Sequence, residues 1–503
     1  MRSGSSVQSP ERELGVDHLT ADLGRRSRRG GVVLMAAQGV RVLGQMATLV
    51  VLARLLSPSA FGLLAMVAAI GAILDLVKEF GLSAATIQRQ DITHAQVSTL
   101  FWINAGVGGL LGGGLFAAAP LLARFYGQPE LTDVARWLSL AFVASGLTVQ
   151  HWALLRRQMR FAAIAGIETM ADLLAFAAAI GLALHGAGYW ALVVQRLVSP
   201  LLLMAASWII CRWRPARPAR ADGVRGLLGF GASVTGSGLA TAFSRSIDQI
   251  LIGWLWGPAA LGLYERTTRL LMMPVNTINA PVYAAAMPAL SRLNDDPARY
   301  RAVFGQVMQK LALLTMPAFA LAAVTADWVV QILLGPSWEK AIPLVALFSV
   351  SAMYLPVLLA VGLLYMSQAR TGEMLRATLI DAGFCVAAIV TGLQWGVIGV
   401  AAALAMVSLV IRTPVGFWLA ARRGPVRAIQ IWRAIAPPAS AAVAVAVAVC
   451  LVRRVEPQPT LTGIVAVGAT SLLVTVLVLL GWPETRRELL AIMSLPARHL
   501  RPT

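Results

Sequence analysis

The sequence predicts an all-α polytopic membrane protein of about fourteen transmembrane helices, built as two six-helix lobes plus two C-terminal helices. Three observations carry that expectation. Of 503 residues, 58% are hydrophobic and only 13% charged, with a mean hydropathy of +0.73, whereas a soluble chain is about 25% charged. The apolar residues fall into repeated blocks of about 20, the length that spans a bilayer core as a helix. The basic residues collect in alternate connections between those blocks.

In chain order the predicted spans are 31–55, 60–80, 97–119, 133–155, 162–184, 189–211, 228–254, 259–288, 303–325, 342–367, 374–393, 396–420, 434–452 and 461–481. Connections between them are short, which leaves no external loop large enough for glycosyl-acceptor chemistry. Residues 1–29 are polar, mix acids with arginines and have no apolar run, so they read as a disordered tail rather than a signal peptide.

The side shared by both termini and every even-to-odd connection carries 29 of the 42 Lys/Arg. The opposite side carries five: Arg54, Arg124, Lys340, Arg453 and Arg454. By the positive-inside rule this places both termini in the cytoplasm. The same distribution argues against a nucleic-acid partner, although the net charge is +19, because the arginines mark loops rather than one basic face. Segment 212–226, RWRPARPARADGVRG, is the longest charged connection. Its Arg/Pro alternation favours an extended, solvated stretch facing lipid headgroups. It separates an N-lobe over 30–211 from a C-lobe over 227–425, followed by two helices over 426–482 and a tail over 483–503.

The two lobes share a local repeat. Pro58-Ser59-Ala60-Phe61-Gly62-Leu63 follows the first span, and Pro258-Ala259-Ala260-Leu261-Gly262-Leu263 follows the seventh. Both follow odd-numbered spans, so the repeats have the same orientation, with an axis along the membrane normal and a path between lobes.

Cys211, Cys385 and Cys450 lie in or beside spans without paired spacing, and the five histidines are scattered. No metal site, disulfide framework, catalytic constellation or nucleotide loop follows, so no enzyme activity and no cofactor are expected. Gly112-Gly113-Gly114 reads as close helix packing.

Ionisable side chains inside spans are costly unless they face a cavity or a partner, which makes them the functional candidates. Arg41 lies in the first span with Gln38 and Gln45 on the same helical face. Arg245 lies in the seventh, within SRSIDQ, near Asp248; Arg266 and Arg269 lie one turn apart in the eighth, and Arg196 in the sixth. Together they form a candidate cationic cavity. A guanidinium suits phosphate because it stays charged and offers a planar fork for bidentate bonds. The competing reading is a set of structural ion pairs, Arg245 with Asp248 and Glu265 with Arg269. Arg136 and Arg412 sit near span ends, where long side chains snorkel. Pro274 and Pro281, with Asn276 and Asn279 between them, mark a hinge or a fixed kink in the eighth span.

The stretches LARLLSPSAFGLLAMVAAI and EFGLSAATIQR, then Leu261-Gly262-Leu263-Tyr264, MPALSRL at 287–293 and LGPSW at 334–338 resemble the Wzx-type polysaccharide exporters, most closely the colanic-acid-like branch. That resemblance covers roughly 30–425. It implies the fold of the multidrug/oligosaccharidyl-lipid/polysaccharide superfamily, two six-helix lobes around a central cavity. It also implies a flippase for an undecaprenyl-diphosphate-linked oligosaccharide repeat unit in the inner membrane. The prenyl tail would stay in membrane lipid while the headgroup crosses. A polysaccharide polymerase and glycosyltransferases are the protein partners in view, and the chain is expected to be a monomer. Two alternatives remain beside it: a multidrug cation antiporter on the same fold, and a membrane scaffold without transport.

Overall fold

The computed structural model describes residues 23–79, 86, 92–218, 224–483 and 486, with side chains described over 37–75, 86, 92–218, 246–483 and 486. The described residues are helical with no strand. The remainder of both tails and the side chain of Arg245 lie outside what is described, as does most of the EFGLSAATIQR stretch.

Six helices come first: α1 (Leu23–Leu55), α2 (Pro58–Glu79), α3 (His94–Tyr126), α4 (Leu131–Arg157), α5 (Phe161–Leu184) and α6 (Trp190–Cys211). The long α7 (Val224–Ser291) follows, then α8 (Pro297–Val324) and short helical turns over Ala326–Ala341. α9 (Ile342–Ser367), α10 (Thr371–Gly392), α11 (Gly396–Val407), a π-turn over Ser408–Arg412, α12 (Thr413–Ala421), α13 (Ala428–Val455) and α14 (Leu461–Leu480) complete the chain. α1 begins at Leu23, ahead of the expected span, because arginine continues a helix readily.

Local signals set the boundaries. Thr93 and Gln96 form a reciprocal capping box at the start of α3, which ends at Gly127 in the left-handed region (φ 66°). Asp296 caps α8 ahead of Pro297, and Thr460 caps α14. α7 covers two predicted spans, and its one non-helical residue is Gly257, at φ 77° and ψ −176°. The sequence put a break there, between 254 and 259. At Pro274 and Pro281 the backbone keeps helical dihedrals.

Ten segments among the described residues are long and apolar enough to cross a membrane. Their outward faces are apolar too: Leu43, Leu110, Leu121, Val443, Leu461 and Leu472 are all exposed. A water-soluble protein rarely leaves so many large apolar side chains uncovered, whereas lipid favours it. The protein is a multi-pass membrane protein.

The chain divides into two compact units, Met1–Gly262 and Leu263–Thr503. In the first, α3 packs on α4, α4 and α5 on α6, and α1 on α5. Small residues let α3 and α4 approach closely. A Cβ on Gly108 would fall 2.9 Å from the Gly146 Cα, and one on Gly112 would fall 2.8 Å from the Ser139 carbonyl oxygen. Gly113 and Gly114 face open space, so of the expected glycine packing only Gly112 takes part. Also within this unit, the Pro58 and Pro258 turns cross. A Cβ on Gly62 would overlap the Pro258 carbonyl, and one on Gly262 the Pro58 carbonyl.

Residues 212–218 are extended and mostly exposed, as the Arg/Pro pattern predicts, but they are tied down at one point. Trp213 is only 2% exposed, in a cluster with Phe101, Leu154 and Cys211. The Ala216 N–H donates to Ser98 Oγ at 3.0 Å, and Trp102 Nε1 donates to the Ala216 carbonyl at 2.8 Å. The chain is extended as expected, but one large indole and two backbone bonds dock it on α3.

In the second unit α8 packs against α13 and α9. Its core joins Tyr300, Phe304, Leu364, Phe417 and Ile435, and Tyr300 Oη bonds Ser367 Oγ at 2.6 Å. α13 and α14 close over Trp328 through Val445, Val449 and Val467.

Candidate functional site

Arg41 is the best-defined of the arginines that the sequence assigns to spans. α1 presents it to α5, where Glu168 and Asp172 lie one turn apart. Its Nη1 bonds Glu168 Oε2, and its Nε bonds Asp172 Oδ2 at 3.0 Å. Asp172 also accepts from Ser199 Oγ on α6, at 2.9 Å. The three charged side chains are 24%, 28% and 17% exposed, so the cluster is sheltered but open. Two carboxylates therefore share the Arg41 guanidinium. Gln38 and Gln45, its neighbours on the α1 face, are exposed. Arg196 is exposed on α6, one turn before Ser199.

The arginines of α7 differ among themselves. Arg266 is 6% exposed. Arg269 is half exposed and pairs with Glu265 at 3.5 Å, the i,i+4 contact expected from the sequence. Asp248 is partly buried, with Oδ1 accepting from the Gln249 N–H at 2.8 Å. Arg266 and Arg269 therefore share a helix but not an environment.

Arg412 does not snorkel. It lies at the end of the π-turn, 15% exposed, and its Nε and Nη2 bond the two oxygens of Asp381 at 2.7 and 2.9 Å. Ser408 Oγ accepts from Nη1 at 3.0 Å. A bidentate partner on the neighbouring helix α10 outweighs the pull of the membrane surface. Arg453, one of the five basic residues on the sparse side, is likewise engaged, by Asp327 and the Val324 carbonyl.

Glu168, Asp172 and Asp381 fall within predicted spans, but nothing in the sequence joins them to Arg41 or Arg412. A signal existed for the first pair. Two acids four residues apart in an apolar span share one face, and such a face needs a cationic partner. Among the described residues no group of His, Cys, Asp and Glu is arranged to hold a metal ion.

Lipopolysaccharide biosynthesis protein WzxC of Escherichia coli (strain K12) is 26% identical over 367 residues, 72% of this chain and 74% of that protein. Succinoglycan biosynthesis transport protein ExoT of Rhizobium meliloti (strain 1021) is 27% identical over 63% of this chain and 65% of its own length. Among solved structures, the lipid II flippase MurJ in an inward closed conformation matches with a TM-score of 0.71 and 10% identity, over 91% of this chain and 100% of MurJ. That likeness establishes the fold. The family profile described as polysaccharide biosynthesis protein matches residues 51–343, more than half of the sequence, and the chain belongs to that family.

Proposed function

We propose that this protein is a flippase that moves an undecaprenyl-diphosphate-linked oligosaccharide repeat unit across the inner membrane for exopolysaccharide, capsule or lipopolysaccharide biosynthesis. One observation supports the reading: in a chain of the polysaccharide biosynthesis family, Arg41 and Arg269 fall on spans predicted from the sequence and stay 24% and 50% exposed beside their carboxylate partners. Names of relatives support it, since ExoT is a transport protein and MurJ a lipid II flippase.

In this reading the chain crosses the membrane fourteen times, with both termini and segment 212–226 in the cytoplasm. Lobes 30–211 and 227–425 alternate around a path between them, and helices within 426–482 flank it. Arg41, Arg245, Arg266, Arg269 and Arg196 take turns at the diphosphate. Gln38 and Gln45 contact its polar surroundings, and Asp248 balances Arg245. Pro274 and Pro281 give α7 its bending points, because a proline removes a helical hydrogen bond. The protein acts as a monomeric transporter rather than an enzyme, without a cofactor. It hands its cargo from glycosyltransferases to a polymerase.

A cation antiporter on the same fold is the second reading, favoured by the two carboxylates that share Arg41. Deleting the gene separates the two. A flippase deletion accumulates the lipid-linked repeat unit inside the cell and abolishes the polymer. An antiporter deletion leaves the polymer intact and raises sensitivity to cationic compounds.

A further inference from the structure

We infer that Glu168 and Asp172 are internal competitors for Arg41, resident anions that the diphosphate must displace and that displace it again for release. The inference rests on the flippase reading. It concerns two residues to which that reading gives no role.

The geometry favours exchange over a sealed structural pair. Both carboxylates use the guanidinium, one at Nη1 and one at Nε, so each occupies one donor of a different fork, Nη1/Nη2 or Nε/Nη2, through which a phosphate would bind. Each member of the cluster keeps between 17% and 28% of its side chain exposed, so none of the three is sealed inside the helix packing. The two acids are held unequally. Asp172 is fixed from both sides, by Arg41 and by Ser199 Oγ. Glu168 is held by Arg41 alone among the described residues.

Charge balance points the same way. Within the trio of Arg41, Glu168 and Asp172, one guanidinium faces two carboxylates, and an acid that shares its cation is retained at a cost in a low-dielectric setting. A purely structural pair gains nothing from that second acid. A carrier does gain, because a cationic site that holds a diphosphate without competition releases it slowly, and transport needs weak enough binding to leave. Glu168 swings away first, freeing Nη1. Asp172 stays as the fixed acid that later recovers the guanidinium.

The test is titration of purified protein in lipid nanodiscs with farnesyl diphosphate as the probe, together with flipping of a diphosphate-linked lipid in vesicles. Competition requires Glu168→Gln to bind the probe about tenfold more tightly, the scale of one hydrogen bond to a charged group, while flipping slows. Asp172→Asn serves as the second variant, tightening binding less because Ser199 still holds the amide. Both are checked for monodispersity before titration. Unchanged or weaker binding in both variants, with Arg41→Ala still losing affinity, overturns the competition and leaves Arg41 as a ligand. Equal binding by wild type and Arg41→Ala overturns the role of Arg41 and the competition together.

Discussion

Arg160 and Arg370 make the same bond in the two units of the chain. Arg160 Nη1 donates to the Ile210 carbonyl at 3.1 Å and Arg370 Nη1 to the Ala420 carbonyl at 3.2 Å, each acceptor 50 residues downstream. Both arginines end a Gln-x-Arg turn, Gln158-Met159-Arg160 and Gln368-Ala369-Arg370, whose middle residue is left-handed (φ 52° and 55°). In both turns the arginine N–H reaches back five residues, to Leu155 and to Tyr365. A positive charge at a helix C-terminus is favourable in its own right.

Removing either latch therefore loosens its own helix ends. Arg160→Ala should cost about 1 kcal/mol, a drop of roughly 2–4 °C in melting temperature. Arg370→Ala should cost more, because Arg370 also holds Glu373 at 2.6 Å. Ala369→Gly should raise the melting temperature, since glycine relieves the left-handed backbone. Thermal unfolding of detergent-purified protein, followed by size-exclusion fluorescence, checks all three.

The crossing at Gly62 and Gly262 has no room for a methyl group against the Pro258 and Pro58 carbonyls. Gly62→Ala and Gly262→Ala should each destabilise by about 1–3 kcal/mol, the range for overpacking a tight contact. Gly114→Ala, which meets nothing within 4 Å, is the control and should leave membrane abundance unchanged. Immunoblots of membrane fractions measure the comparison.

Arg412 and Asp381 form a bidentate pair between helices. Breaking it from one side strands a charge in the membrane, so Arg412→Gln or Asp381→Asn alone should lower stability more than the two together. A double-mutant cycle on melting temperature reads the coupling. Additive losses would mean the pair contributes no stability.

The sequence made the helices readable because a membrane span needs a long apolar run, and loop arginines gave those runs a direction. The break at Gly257 was legible as a Gly-Pro interruption of an otherwise apolar run, Gly257-Pro258. Partners across helices were not legible. Nothing near Arg41 in the chain points to Glu168, and Arg412 looked like a snorkelling residue because its proximity to a span end was visible while Asp381 was not. Trp213 was hidden by its company: an Arg/Pro-rich stretch reads as solvated, yet the buried indole and two bonds at Ala216 dock it on α3. The Gln-x-Arg repeat was present in the letters, but three residues carry too little information without the shared bonds they make.

Orientation can be checked on a cysteine-free background. A cysteine at Ser337 should react with an impermeant maleimide added outside intact cells, and one at Ala219 only after permeabilisation. Reversed accessibility would invert the topology and move the sparse side, including Arg453 and Arg454, into the cytoplasm.

The most direct test of the flippase reading is leaflet exchange of a labelled polyprenyl-diphosphate oligosaccharide in vesicles reconstituted with the purified protein. Cargo placed in one leaflet should become accessible to a membrane-impermeant glycosidase on the other side. The rate should fall at least tenfold when Arg41, Arg245 and Arg269 are all alanine, given about 1.5–3 kcal/mol for each hydrogen bond to a charged group. Exchange no faster than in protein-free vesicles, or an unchanged rate in the triple variant, would contradict the account.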